Sequence, residues 1–241
     1  SYKNHATLPK NPSAMMPKVI AFDADDTLWD NEIYFRETEH KFCALMEDYL
    51  PQHTVERELL QTEIKNIALY GYGIKGFMLS MIETAIRISD GTIGVRSIET
   101  IIGYGQELLN KPVNLLPGVE DVLKSLRGRY RLVVATKGDL LDQERKLKKS
   151  GLDTYFHHTE IMSEKAEADY QKLLRHLDIQ PHEFVMVGNS LKSDILPVLA
   201  LGGHGFHVPY HVTWSHEHVD KQIEHPNFRT LNTITDILQI F

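Results

Sequence analysis

Short apolar runs alternating with amphipathic stretches constrain this chain more than any other feature. "KVIAF" (18–22), "YRLVVAT" (130–136), "FVMVG" (184–188) and "GFHVP" (205–209) are too short for buried helices and rich in β-branched residues. They predict strands covered on both faces, as in a parallel sheet. A weaker run, "YFHHTEIM" (155–162), lies between the second and third. Helical patterns separate them: "GVEDVLKSL", "LLDQERKLKKSG" closed by Gly151, "ADYQKLLRHL" and "DILPVLALGG". Strands alternating with helices predict a doubly wound α/β sheet.

The alternation breaks once. From Glu32 to Asn110 the pattern is helical throughout, with Pro51, Gly71 to Gly73 and Gly91 to Gly94 as punctuation. The expected inward stripes are Phe42, Leu45, Met46 and Tyr49; then Leu60, Ile64, Ile67 and Ala68; then Ile74, Phe77, Met78, Met81, Ile82 and Ala85; then Ile98, Ile101, Ile102, Leu108 and Leu109. A four-helix insert therefore follows the first strand. Residues 1–16 are polar and unpatterned and are expected to form a flexible tail. That divides the chain into a core of residues 17–32 and 113–241 and a helical insert of residues 33–112.

The lone cysteine, Cys43, excludes an internal disulfide framework and fits a reducing cytoplasm. No apolar run is long enough to span a bilayer, so no membrane partner is expected. A formal net charge of −7 argues against non-specific nucleic-acid binding.

In an open parallel sheet, ligands bind at the carboxyl ends of the strands, and here those ends carry a set of polar groups. The first strand runs into Asp23-Ala24-Asp25-Asp26-Thr27, the second into Thr136-Lys137-Gly138, and the fourth into Gly188-Asn189-Ser190, with Asp194 a helical turn further on; Lys165 follows the weak strand. Three carboxylates in four positions repel one another, which points to a cation, a proton-transfer task or a solvated turn. The remaining groups favour the first two. A carboxylate can attack phosphorus only if the phosphate charge is offset, and Mg²⁺ held by carboxylate and carbonyl oxygens does that. Thr136 and backbone N–H groups can hold phosphate oxygens. A lysine ammonium binds phosphate and keeps the nucleophile ionised. Asp25 can protonate the leaving oxygen and later activate water.

These motifs resemble those of the haloacid dehalogenase superfamily. "FDADDTLW" fits its Asp-x-Asp-x-Thr motif, and Thr136, Lys165 and "VGNSLKSD" fit its three later motifs in order. The resemblance runs from Lys18 onward, and the segment from Val187 to Trp214 resembles a bacterial phosphatase-like subgroup. It implies a Rossmann-like core with the insert as a C1-type cap, Asp23 as nucleophile forming an aspartyl-phosphate, and Asp25 as general acid/base. Thr136, Lys137 and Lys165 would bind the phosphoryl group. Mg²⁺ would be held by Asp23, the Asp25 carbonyl and the fourth motif, Asn189 and Asp194, with Asp194 supporting a metal-bound water or the Lys165 ammonium. Asn189 stands where the family has an acid, so it brings an amide oxygen without charge.

The implied activity is Mg²⁺-dependent hydrolysis of a small phosphorylated metabolite; sugar phosphates, nucleoside monophosphates and flavin mononucleotide all match a capped site. A phosphomutase keeps both aspartates, whereas related dehalogenases lack the acid two positions later. A phospho-receiver module would place its aspartate after the third strand and lack the insert, and an inactive interaction module has only Asn189 in its favour. In the turn "YGYGIK" (70–75), Tyr72 and Lys75 are candidate specificity residues. Lys172 rivals Lys165 but falls inside a helical pattern. The His-rich segment 204–225 lacks a helical zinc pattern, and its loop, with His211 and Trp214, is expected beside the active site. Asp26 is expected to face solvent or bond to local backbone N–H groups.

Overall fold

The computed structural model describes residues 16–241; the expected tail otherwise lies outside the described residues. Strands β1 (Val19–Phe22), β2 (Arg131–Lys137), β3 (His158–Met162), β4 (Phe184–Gly188), β5 (His204–His207) and β6 (Phe228–Thr230) form one sheet in the order β3-β2-β1-β4-β5-β6. Every pairing is parallel. β6 is three residues long and only half-buried, too short and too exposed to show as an apolar run.

Period-two alternation sends successive residues to opposite faces. Ile20, Phe22, Leu132, Val134, Val185 and Val187 pack against α5 (Val119–Leu126), α6 (Leu140–Ser150) and the C-terminal segment. Val19, Ala21, Val133, Ala135, Phe184 and Met186 pack against α7 (Glu167–Leu177) and α8 (Leu196–Ala200). With both faces covered, every residue of β1 and β4 is buried. This is the doubly wound sheet the strand pattern predicts.

Between β1 and α5 lie α1 (Glu32–Leu45), α2 (Gln52–Tyr70), α3 (Ile74–Ile88) and α4 (Val95–Leu109), gathered around a core of their own that includes Phe42, Met46, Leu59, Phe77, Met81 and Ile101. The inward face of α2 differs from the expected stripe: Val55, Leu59, Thr62 and Asn66 are buried, while Ile64 is exposed. The reason is polar pairing. Thr84 of α3 donates to Thr62 at 3.0 Å, and Asn66 donates to Ser80 and Glu83 at 3.1 and 2.9 Å, so hydroxyl and amide groups fill positions that periodicity reserves for apolar ones.

The chain leaves the sheet and returns to it along paired segments. Trp29 and Leu115 form an antiparallel bridge, the Asp30 N–H donates to the Asn114 carbonyl at 3.0 Å, and the Leu116 N–H donates to the Leu28 carbonyl at 2.9 Å.

Candidate active site

Strand order reverses between β1 and β4, and a cavity of about 190 Å³ opens beside their carboxyl ends, roofed by α1, α2 and the turn before α3. Asp23, Asp25, Thr136, Lys137, Lys165, Asn189 and Asp194 all line it, and so does Tyr72.

Asp23 lies buried at the end of β1, its N–H on the Val187 carbonyl at 2.9 Å. The Lys165 ammonium donates to Asp23 Oδ1 at 2.7 Å and to Asp194 Oδ1 at 2.6 Å. Burial alone would lower the lysine, but Asp194 and Asp23 more than offset it and hold it well above the ordinary range. Asp23 is pushed up to about 7 by burial and by Asp194, against the pull of Lys165. A carboxylate in this place calls for more positive charge than one lysine shared with a second acid supplies.

The sequence explains how Asp194 reaches the site. Leu191–Ile195 winds as a π-helical turn, and Asp194 Oδ2 accepts the Ser190 N–H at 3.0 Å. A side chain at position 188 would come within 2.2 Å of that carboxylate, so Gly188 is required there. One Asp194 oxygen thus accepts from the Lys165 ammonium and the other from the Ser190 N–H.

The other candidate ligands converge. With its nitrogen turned inward, the Asn189 amide donates to Asp23 Oδ2 at 2.8 Å, the Asp25 carbonyl at 3.2 Å and Thr27 Oγ1 at 3.3 Å. Turned over, the amide adds its own oxygen to those of Asp23 and Asp25. The resulting all-oxygen set fits a small hard cation such as Mg²⁺. Among the described residues no three His, Cys, Asp or Glu side chains are grouped to hold a metal, so a cation bound here would draw on main-chain and amide oxygens as well.

Each remaining aspartate has its own partners. Asp25 accepts from Trp29 Nε1 at 2.9 Å, Gln143 Nε2 at 2.8 Å and Lys146 Nζ at 2.6 Å. Burial would raise it, but Lys146 and the hydrogen bonds overcome that and hold it below the ordinary carboxylate range. Asp26, with φ 63°, turns its side chain to the start of α1 and accepts the Asn31 and Glu32 N–H groups at 2.8 and 3.1 Å. Of its two expected roles it takes the backbone one, because it closes the N-terminus of the insert's first helix.

Lys137 lines the cavity, its ammonium donating to Glu217 Oε1 at 2.6 Å and Ser193 Oγ at 2.9 Å and lying 4.1 Å from the centroid of the Tyr72 ring. Lys75 does not line the cavity; its ammonium is 2.9 Å from Asp139 at the start of α6. His211 is exposed and packs on Tyr210, whereas Trp214 does line the cavity, edge-on to Tyr72. Lys172 is exposed, away from the role Lys165 takes.

The sequence reading also missed Gln143, Lys146 and Glu217. Gln143 and Lys146 follow Thr136-Lys137-Gly138 on the first turns of α6, and their three-residue spacing was the available signal. Glu217 comes from the His-rich loop and gave none. Its carboxylate, held at about 2 by Lys137, Ser193 and Ser190 against burial, ties the ends of β2 and β4 together. On the insert side the cavity is lined by Glu32, Glu39 and Glu63 and by Phe35 and Phe77. Burial pushes Glu32 and Glu63 up to about 8.

This chain belongs to the haloacid dehalogenase-like hydrolases: the model of that family matches residues 17–202. The motifs at the strand ends are thus those of a hydrolase. Among curated proteins it is similar to human N-acylneuraminate-9-phosphatase, 24% identical over 189 residues that cover 74% of this chain and 76% of the other. Among solved structures it is similar to a haloacid dehalogenase-like family hydrolase from Xanthomonas campestris, 36% identical, covering 94% of this chain and 93% of the other with a TM-score of 0.83. A 2-haloacid dehalogenase from Pseudomonas syringae shares the fold at 17% identity, covering 93% and 98% of the two chains with a TM-score of 0.62. No helix among the described residues is long and apolar enough to cross a membrane.

Proposed function

We propose that this hydrolase is a phosphatase that removes the phosphoryl group from a small phosphorylated metabolite by way of an aspartyl-phosphate on Asp23. The observation that carries the reading is Asp25, an acid two residues beyond Asp23 in the same cavity, with three donors fixing its carboxylate. Displacement of halide from carbon needs no such group, since halide leaves unprotonated; an alkoxide leaving from phosphorus does need it. The similarity to a curated phosphatase supports the same choice.

In this reading Asp25, ionised while Lys146 holds it, takes up a proton from solvent as the phosphate charge enters the cavity; a carboxylate oxygen of Asp23 then bonds to phosphorus as the ester P–O bond breaks, and Asp25 delivers that proton to the departing oxygen. Water then attacks the aspartyl-phosphate, Asp25 takes its proton, and inorganic phosphate and free Asp23 result. Lys165 and Thr136 hold phosphoryl oxygens. Asp23, the Asp25 carbonyl and Asn189 would hold Mg²⁺, which supplies charge to neutralise the phosphoryl oxygens. Residues 33–112 would act as the cap, with Tyr72 facing substrate, and a reducing cytoplasm suits the free Cys43, which is buried.

The test is phosphate release from a panel of sugar phosphates, nucleoside monophosphates and flavin mononucleotide, with Mg²⁺ and again with EDTA, alongside halide release from 2-chloropropionate. Mg²⁺-dependent phosphate release is expected. Halide release without phosphate release would overturn the reading in favour of a dehalogenase. Transfer of the phosphoryl group to a second hydroxyl of the substrate, in place of phosphate release, would mark a phosphomutase.

A further inference from the structure

The proton-transfer group Asp25 is held from the side by one face of α6. Lys146 Nζ lies 2.6 Å from Asp25 Oδ1, and Gln143 Nε2 lies 2.8 Å from Oδ2 and 3.0 Å from Thr136 Oγ1. Trp29 Nε1 reaches Oδ1 at 2.9 Å from within the Asp25 loop itself. Lys146 also reaches Asn31 Oδ1 at 3.3 Å, just before α1, and its side chain is 16% exposed. A side chain at Gly138 would come within 3.1 Å of Gln143, so the chain is bare where this face approaches β2.

We propose that Lys146 is a positioning residue for Asp25, fixing the carboxylate for proton transfer. The inference rests on the phosphatase reading above. Asp25 follows the end of β1 on a turn, where its side-chain torsions are not set by strand packing. Proton transfer needs the carboxylate within hydrogen-bond reach of the leaving oxygen and then of water, and small misplacement is costly. Of its three donors only Lys146 is charged, so it alone adds the attraction of an ion pair to its hydrogen bond. Lys146 lines the cavity, and its shortest contact there is Asp25, with Asn31 at 3.3 Å and Asp142 at 4.0 Å further off.

The test compares wild type, Lys146→Gln, Lys146→Arg, Asp25→Asn and the double variant Asp25→Asn/Lys146→Gln, with circular dichroism to check folding. The substrates are p-nitrophenyl phosphate and phenyl phosphate, which differ in how much protonation the leaving oxygen needs. Lys146→Gln is expected to lower kcat on phenyl phosphate about 10- to 100-fold, a fraction of the usual proton-transfer contribution. The fall should be smaller on p-nitrophenyl phosphate, with KM little changed. Lys146→Arg should restore most of the rate, and Lys146→Gln should have no further effect once Asp25 is Asn. Equal losses in both backgrounds, or a loss confined to KM, would overturn the proposal. A second cycle measures urea unfolding of the same proteins, where the Lys146 and Asp25 substitutions should be non-additive; additivity would also overturn it. That cycle decides the pairing even if wild type releases no phosphate, an outcome that would sink only the phosphatase reading.

Discussion

Glu217 Oε1 lies 2.6 Å from Lys137 Nζ, joining a loop near the C-terminus to the residue that follows Thr136. Both side chains are close to nine-tenths buried, at 13% and 12% exposure. Glu217→Gln leaves a mostly buried ammonium with only the more distant, exposed Glu164, at 3.7 Å, as counter-ion and should lower unfolding free energy at pH 7 by about 2 kcal/mol. The pH dependence has a definite sign. The carboxyl sits at about 2 in the folded protein against an ordinary 4.5, so its contribution is present above 4.5 and is lost as pH falls toward 2. Urea unfolding of wild type and Glu217→Gln should therefore differ at pH 7 and converge near pH 2. Equal stabilities at pH 7 would refute the pairing.

Asp23→Asn keeps shape and removes the attacking oxygen's charge. Phosphate release from p-nitrophenyl phosphate should fall by about 10³-fold or more, with the circular dichroism spectrum unchanged. Turnover within a few-fold of wild type would exclude a covalent route through Asp23.

Asn189 brings a dipole where a carboxylate would bring a full charge beside a divalent cation. Part of that gain would be lost to repulsion from Asp23 and Asp25. Asn189→Asp should lower the Mg²⁺ concentration for half-maximal phosphatase rate, and Asn189→Ala should raise it. Identical titration curves for the three proteins would remove Asn189 from the coordination sphere.

Glu63 faces the cavity and is pushed up to about 8 from an ordinary 4.5 by burial and by Glu39. A carboxyl raised in this way keeps its proton in the folded chain while the unfolded chain releases it. Stability therefore falls as pH rises from 4.5 to 8. Glu63→Gln removes that fall: Tm should rise by about 5 °C at pH 9 and stay unchanged at pH 4. Equal Tm values at pH 9 would show that the group is not desolvated. Keeping an acid where it destabilises the fold is common for groups that face a ligand.

The strand-end groups were legible because a parallel sheet collects whatever follows its strands. Asp23, Thr136 and Asn189 needed only the strand assignments to be brought together, and Lys165 needed only its place after β3. Lys146 and Gln143 were harder, since a charged helix face usually means solvent, and only the approach of the Asp25 loop turns that face inward. Glu217 was illegible: nothing in "WSHEHVD" distinguishes the acid that folds under from those that do not, and 80 residues separate it from Lys137. The α2 face went astray for a related reason, because Thr62 and Asn66 are buried by partners on another helix. Lys75 was placed by turn position alone, and a nearer acid, Asp139, claims it.

The pairing of Leu28 to Asp30 with Asn114 to Leu116 limits how the helical insert can travel. Two separate tethers would act as independent swivels and let the insert twist, slide and tilt. Tethers hydrogen-bonded side by side bend together, like a strip of two-stranded ribbon, and a ribbon flexes readily only across its flat face. Twisting it would tear the Asp30–Asn114 and Leu116–Leu28 bonds. A bend across the ribbon's flat face would spare those bonds.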